Sequence, residues 1–328
     1  MIRRFLPLAA LVATLSGQAS ALKDPQWADW LDKGRTEQLE SAAQARLAAR
    51  PDEAQAQVAL ALAQADRIDG ARLDAAHRSA EDCISAHRDE AACYYALGAV
   101  QGVQALAGGA MKAISLAGKV RDNLGRALEL DPGLLEARVL LAQFYLRVPG
   151  IAGGSMSKAR ELAAGAPTPG QAALVRALVA AQAKDWAAEE RELRGIKAGG
   201  DAALKSAVRE AWGQLGTDLM WAKQPDKAQE VFRALQRDWP QHALGWYAMG
   251  RLEASQGRNE EAVRLFEKAA SMDGADKLPI DHRLGQALAD KGDKAEARRA
   301  LERFVANKRS NPANVKDARK LLGELGQG

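Results

Sequence analysis

Cysteine, histidine and aromatic residues are scarce in this chain, and each shortage removes a class of function. Of 328 residues only two are cysteine, Cys83 and Cys93, and four are histidine, His77, His87, His242 and His282. No His-Glu-x-x-His pair and no Gly-x-Ser-x-Gly elbow occurs, so neither a zinc-protease site nor a serine-hydrolase nucleophile is written in the sequence. No nucleophile is accompanied by a partner base, and the expectation is a protein that is not an enzyme and carries no cofactor and no metal. No run of five or more like charges exists to serve as a polybasic arm. Past the N-terminus, no stretch is apolar enough to be a transmembrane helix.

What is present begins with the first residues. Arg3-Arg4, a short apolar run to Leu15 and the small-x-small ending Ala19-Ser20-Ala21 predict a secretory signal peptide over residues 1–21, cut before Leu22. The run is too short to span a bilayer. Leu22 is not a cysteine, which argues against a lipid anchor at that point, and Phe5 follows the arginine pair directly, against the twin-arginine pattern. The expected route is ordinary export of an unfolded chain to the periplasm or beyond. Loss of Arg3 and Arg4 takes the charge from 46 basic against 42 acidic residues to 44 against 42. The pI of about 9.0 is therefore weak evidence for nucleic acid, and no nucleic-acid partner is expected.

The rest of the chain is repetitive. Trp212-x-x-Leu215-Gly216, Ala228-x-x-x-Phe232 and Pro240 are matched by Trp246-x-x-Met249-Gly250 and Ala262-x-x-x-Phe266 at an offset of 34 residues. A third copy, Leu284-Gly285, Gly292 and Ala297-x-x-x-Leu301, follows at 35. Weaker copies run upstream, with Tyr94-x-x-Leu97-Gly98, Leu141-Ala142 with Tyr145, and Leu60-Ala61. This pattern resembles the tetratricopeptide repeat. The resemblance implies an all-α, right-handed superhelix of antiparallel helix pairs A and B. In it, small residues let A approach B and neither helix buries its apolar stripe alone. The expected organisation is N-terminal helices over 22–53, degenerate repeats over 54–208, three regular repeats over 209–310 and a capping helix over 311–328. Asp24-Pro25 starts the first helix and Gly34 ends it, with Trp27 and Trp30 sealing the solenoid end. Glu189-Glu190 and Glu260-Glu261 read as solvated helix starts.

Surplus residues predict enlarged A-to-B turns near 101–118 and 146–157, neighbours on one edge of the solenoid. The second reads Val148-Pro-Gly-Ile-Ala-Gly-Gly-Ser-Met-Ser-Lys158. A phosphate loop needs a lysine directly after glycine and a strand before it; here Lys158 lies four residues past Gly154 and a helical pattern precedes. The expectation is a plain turn, with Ser155 or Ser157 capping the next helix, and behind it a loop touching a partner or an anion. The element Phe144-Tyr145 through Pro149-Gly-Ile-x-Gly-Gly-Ser155 also resembles that of uncharacterised exported bacterial tetratricopeptide proteins, which implies no particular activity.

Cys83 falls near the end of one helix B and Cys93 near the start of the next helix A. A disulfide is the favoured reading in an exported protein, ahead of buried thiols and of a metal site with His77 and His87. The repeat resemblance implies a scaffold that binds protein or peptide on its concave face. Projection of the repeat places Tyr95, Val139, Gln143, Met220, Tyr247, Arg251, His282 and Gln286 there. Gln143 and Arg251 do not reproduce the lysine and asparagine set of chaperone-adaptor clamps. The alternative is an enzyme or small-ligand binder that uses the enlarged-turn edge.

Overall fold

The computed structural model describes residues 20–66, 69–307 and 312–326. Most of the expected signal peptide, residues 1–19, lies outside the described residues. Among those described the chain forms α-helices and no strand, in pairs. The pairs are α1 (Pro25–Asp32) with α2 (Thr36–Ala49), α3 (Ala54–Ala65) with α4 (Gly70–Ala86), α5 (Ala91–Ala107) with α6 (Gly109–Leu130), and α7 (Leu135–Arg147) with α8 (Met156–Ala164). There follow α9 (Pro169–Gln182) with α10 (Trp186–Gly195), α11 (Ala202–Trp221) with α12 (Pro225–Asp238), α13 (Ala243–Ser255) with α14 (Asn259–Ala270), and α15 (Ile280–Lys291) with α16 (Lys294–Ala306). A last helix, α17 (Pro312–Gly326), packs on α16 and α15. From α3 to α15 each odd-numbered helix stacks on the next, which makes the odd helices one layer and the even helices the other. The fold is an all-α tetratricopeptide superhelix.

Local chemistry starts these helices where they start. The carboxylates of Asp24, Asp69, Asp185 and Asp201 accept backbone N–H groups of the following turn, satisfying donors that have no intrahelical partner. Pro25, Pro169 and Pro225 sit in first turns, where a missing N–H costs nothing. Packing within each pair follows the small-against-large scheme. A methyl group on Gly250 would lie 2.7 Å from Phe266 Cε1, and one on Gly285 would lie 2.6 Å from Leu301 Cγ. Upstream, one on Gly98 would lie 2.9 Å from Leu124 Cγ. Phe266 and Leu301 are fully buried as a result.

The two surplus segments take different forms. Over 101–118 there is no enlarged turn: α5 runs on to Ala107, α6 begins at Gly109, and the joint is Gly108 alone. The physical reason lies in the residues themselves. Gln101 to Ala107 contains no proline and is mostly good helix formers, so the surplus lengthens both helices. Over 146–157 the chain does leave the helix. Pro149 follows α7, Gly150–Ala152 makes one 3-10 turn, Gly153 is left-handed, and the Ser155 N–H donates to the Tyr145 carbonyl at 2.8 Å. Farther on, α11 starts at Ala202, upstream of residue 209.

Residues 20–36 follow no repeat rule. Ser20 to Lys23 lies outside any helix, bends at Ala21 and crosses the N-terminal ends of α3, α5 and α7. The Ala21 N–H donates to Glu136 Oε1 at 3.2 Å, Gln55 Nε2 donates to the Ala21 carbonyl at 3.2 Å, and the Lys23 N–H donates to Gln55 Oε1 at 2.7 Å. The other end of the segment docks on the C-terminal half. Arg209 of α11 is bidentate on Asp32, with Nη2 to Oδ1 at 2.7 Å and Nη1 to Oδ2 at 3.1 Å. Asp273, between α14 and α15, pairs with Arg35 at 2.8 Å and with Lys33 at 3.4 Å, and the Gly274 N–H donates to the Lys33 carbonyl at 3.1 Å. Trp27 and Trp30 therefore belong to a strap that joins the two halves of the superhelix. Trp27 is buried and Trp30 half-buried against the core of α2 to α5, at the N-terminal end of the superhelix.

Candidate functional site

The sequence-predicted inner-face residues divide into three groups. Met220, Arg251 and Gln286 line one cavity of about 440 Å³ bounded by α11, α13, α15 and α17. Its other walls include Trp221, Arg283 and Asp317. Helix geometry brings them together, because Arg251 projects from α13 one turn beyond Tyr247, while Gln286 projects from α15 one turn beyond His282. The Arg251 guanidinium lies 5.8 Å from the Tyr247 ring centre and 6.0 Å from that of Trp221. It forms no ion pair among the described residues, and burial followed by the charge of Arg283 pulls its pKa down against the pull of Tyr247. Trp221 is 71 % exposed, an unusual place for a residue of that apolar area.

Two members of the predicted set do not face the groove. Tyr247 is buried and packs on Phe266, with ring centres 5.8 Å apart. His282, also buried, stacks on Phe304 at 5.0 Å, and its Nε2–H donates to Asp317 Oδ2 at 2.8 Å. Gln286 Nε2 donates to the same oxygen at 2.9 Å, and Arg283 Nη1 donates to Gln286 Oε1 at 2.8 Å. Burial holds His282 below its ordinary pKa despite Asp317, so the neutral ring acts as the clasp of α17. The remaining predicted residues lie elsewhere. Val139 of α7 packs against the core shared with α9 and α11, Gln143 is half-buried one turn on, and Tyr95 of α5 packs beside the Ser20–Lys23 segment. Burial, then the charge of Glu136, holds the Tyr95 hydroxyl well above its usual pKa.

Three groups escaped the sequence reading. Glu136 lies three residues before Val139, on the same helix face, and that spacing was the available signal. Glu189 was expected in solvent, yet it is only 2 % exposed, and burial, reinforced by Asp218, pushes its carboxyl up to about 8. It lies one turn before the buried Leu193, a position that marks it as inward-facing. His242 is buried at the strap. Its Nδ1 accepts the Leu244 N–H at 3.2 Å, and burial, then the Arg209 charge, lowers its pKa to about 4. Cys83 of α4 and Cys93 of α5 stand at disulfide distance, with sulfurs 2.02 Å and Cα atoms 5.5 Å apart. Among the described residues no group of three or more His, Cys, Asp or Glu side chains is placed to hold a metal, and no helix is long and apolar enough to cross a membrane.

Residues 214–277, from the second half of α11 to the α14–α15 connection, match the tetratricopeptide repeat family. No curated protein matches the chain in sequence. Among solved structures, yeast Tom70 is similar at a TM-score of 0.61 and 12% identity; the match covers 90% of this chain and 59% of that one. A tetratricopeptide repeat protein from Parabacteroides merdae is similar at a TM-score of 0.48 and 16% identity, covering 80% of this chain and 96% of that one. At these identities the likeness is one of fold.

Proposed function

We propose that the protein is a non-enzymatic scaffold of the periplasm that captures an extended protein or peptide segment on its inner face, in the service of envelope assembly or maintenance. Arg251 carries the reading. A guanidinium without an ionic partner, half-buried between two aromatic rings, is matched by a carboxylate from outside. Trp221 beside it supplies apolar area for the neighbouring side chain of the bound segment. The periplasmic assignment is supported by the Arg-Arg, apolar run and Ala-Ser-Ala pattern of residues 1–21. The test is in-cell crosslinking from the cavity, comparing the native protein with Arg251→Ala and Trp221→Ala. Envelope proteins crosslinked to the native protein are expected to be lost from both variants, which keep native helix content. An unchanged set of crosslinked proteins would overturn the assignment of this cavity.

A further inference from the structure

The carboxylate of Glu136 is furnished in an unusual way. Ser20 Oγ donates to its Oε1 at 3.0 Å and the Ala21 N–H donates to the same oxygen at 3.2 Å, while Oε2 is buried with no hydrogen-bond partner among the described residues. Tyr95 of α5 and Asp201 at the start of α11 are the titratable groups whose charges reach it. No cation is paired with it among the described residues. Burial leaves the carboxyl above its ordinary pKa, since three neutral donors (its own backbone N–H, the Ala21 N–H and the Ser20 hydroxyl) do not offset the loss of water. An anion held in this way lacks a positive partner.

Removal of residues 1–21 would supply one. Hydrolysis of the Ala21–Leu22 peptide bond leaves the carboxylate on Ala21, which departs, and the ammonium on Leu22. The Ala21 and Ser20 donors of Glu136 leave with the departing piece, and only its own backbone N–H stays. The new ammonium forms one residue along from the Ala21 nitrogen, a chain spacing of about 3.3–3.6 Å. Its location is held by contacts the cut does not touch. Leu22 as a whole is 3 % exposed, the Lys23 N–H donates to Gln55 Oε1 at 2.7 Å, and Lys23 Nζ pairs with Glu90 at 3.0 Å. The bond to be cut is buried on both sides, so cutting precedes folding, as export of an unfolded chain requires.

We propose that Glu136, with Gln55 beside it, is a receptor for the α-ammonium of Leu22, so that processing of the chain creates the ion pair that anchors the strap to α7. The inference rests on the export reading above. In it the strap is fastened at both ends by charge: Leu22 ammonium to Glu136 at one, Asp32 to Arg209 at the other. The mature end stays fastened across the starts of α3, α5 and α7, and an uncut chain folds with a weaker anchor.

The experiment uses protein purified from the periplasm and begins with N-terminal sequencing. A start other than Leu22 would overturn both the cut site and this inference. With the start at Leu22 confirmed, the rate of α-amine acylation by an amine-selective reagent at pH 8 is compared between the native protein and Glu136→Gln. The native amine is expected to react about tenfold more slowly, corresponding to one unit of pKa, and the difference is expected to vanish in denaturant. Should Glu136→Gln fail to fold, a chain carrying four extra glycines ahead of Leu22 serves instead: its amine lies beyond reach of Glu136 and is expected to react at least tenfold faster than that of the Leu22 chain. Equal rates with the Leu22 start confirmed would refute the ion pair and leave the export reading standing.

Discussion

The repeat stack and the strap seam hold the same superhelix by opposite means. Within the stack, apolar residues meet at regular intervals: glycine on an odd helix faces phenylalanine or leucine on the even one, and Phe232, Phe266 and Leu301 are buried almost completely. At the seam the contacts are polar and far apart in sequence. Asp32 meets Arg209 and Ser206, Lys33 and Arg35 meet Asp273, and His242 lies against Gly274. Burial of Asp32 opposes its ionisation, but the hydrogen bonds and charge of Arg209 outweigh this and hold its carboxyl below the usual range. The regular repeats are thus held mainly by apolar contact and the seam mainly by charge. A repeat array can be extended or curved without its ends touching, so closure is a separate act with its own chemistry.

The largest expected effect breaks the stack. Phe232→Ala should cost about 3–5 kcal/mol, the range for truncating a buried phenylalanine, and thermal denaturation followed by circular dichroism should show it as a large fall in Tm. Next comes Arg209→Met, which leaves Asp32 without its partner and should cost about 3 kcal/mol or somewhat more. Its signature differs in kind: small-angle scattering should show a larger radius of gyration while helix content persists. Compact dimensions in that variant would show that the stack alone sets the curvature.

Acid offers a smaller and reversible version. His242 has a folded pKa of about 4 against 6.5 unfolded. A base depressed in the folded state contributes stability that is complete above pH 6.5 and is lost as pH falls through about 4. The loss should be on the order of 3 kcal/mol at most, read as a fall in Tm between pH 6.5 and 4. His242→Asn keeps a side chain able to cap α13 and should flatten that slope. The smallest effect sharpens the stack side. A methyl group on Gly102, inside α5, meets nothing within 4 Å, so Gly102→Ala should stabilise by about 0.5–1 kcal/mol through helix propensity. An equal substitution at Gly154, where the new Cβ would overlap the Val148 carbonyl, should destabilise instead. The contrast in sign checks that one surplus segment is helix and the other an ordered turn.

The legible part of this molecule is the part encoded by spacing. Offsets of 34 and 35 residues carried the helix pairs, and the disulfide-distance pair Cys83–Cys93 followed from their register. Where spacing said only that residues were surplus, local chemistry decided: proline and glycines at 149–154 make a turn, whereas helix formers at 101–107 continue α5. Of the residues projected onto the inner face, Met220, Arg251 and Gln286 line one cavity, because they keep to the helical period. His282 and Tyr247 from the same projection are buried, since the period cannot tell a residue facing the groove from one covered by α17 or by the phenylalanine of its own pair. Glu189 was misread for a related reason: a carboxylate at a helix start usually faces water, and here α11 covers it.

The sequence by itself determined the repeat, its close-contact glycines and its helix starts, because each depends on residues within one helix pair. Tertiary structure alone decided that residues 20–36 bridge the superhelix, that Asp32 meets Arg209 across 177 positions of chain, and that Glu136 faces Ala21 across 115. Those contacts depend on the small rotation between successive pairs, summed over the length of the array. No local pattern records that sum, so ends that are distant in the sequence are brought together only once the whole superhelix has formed.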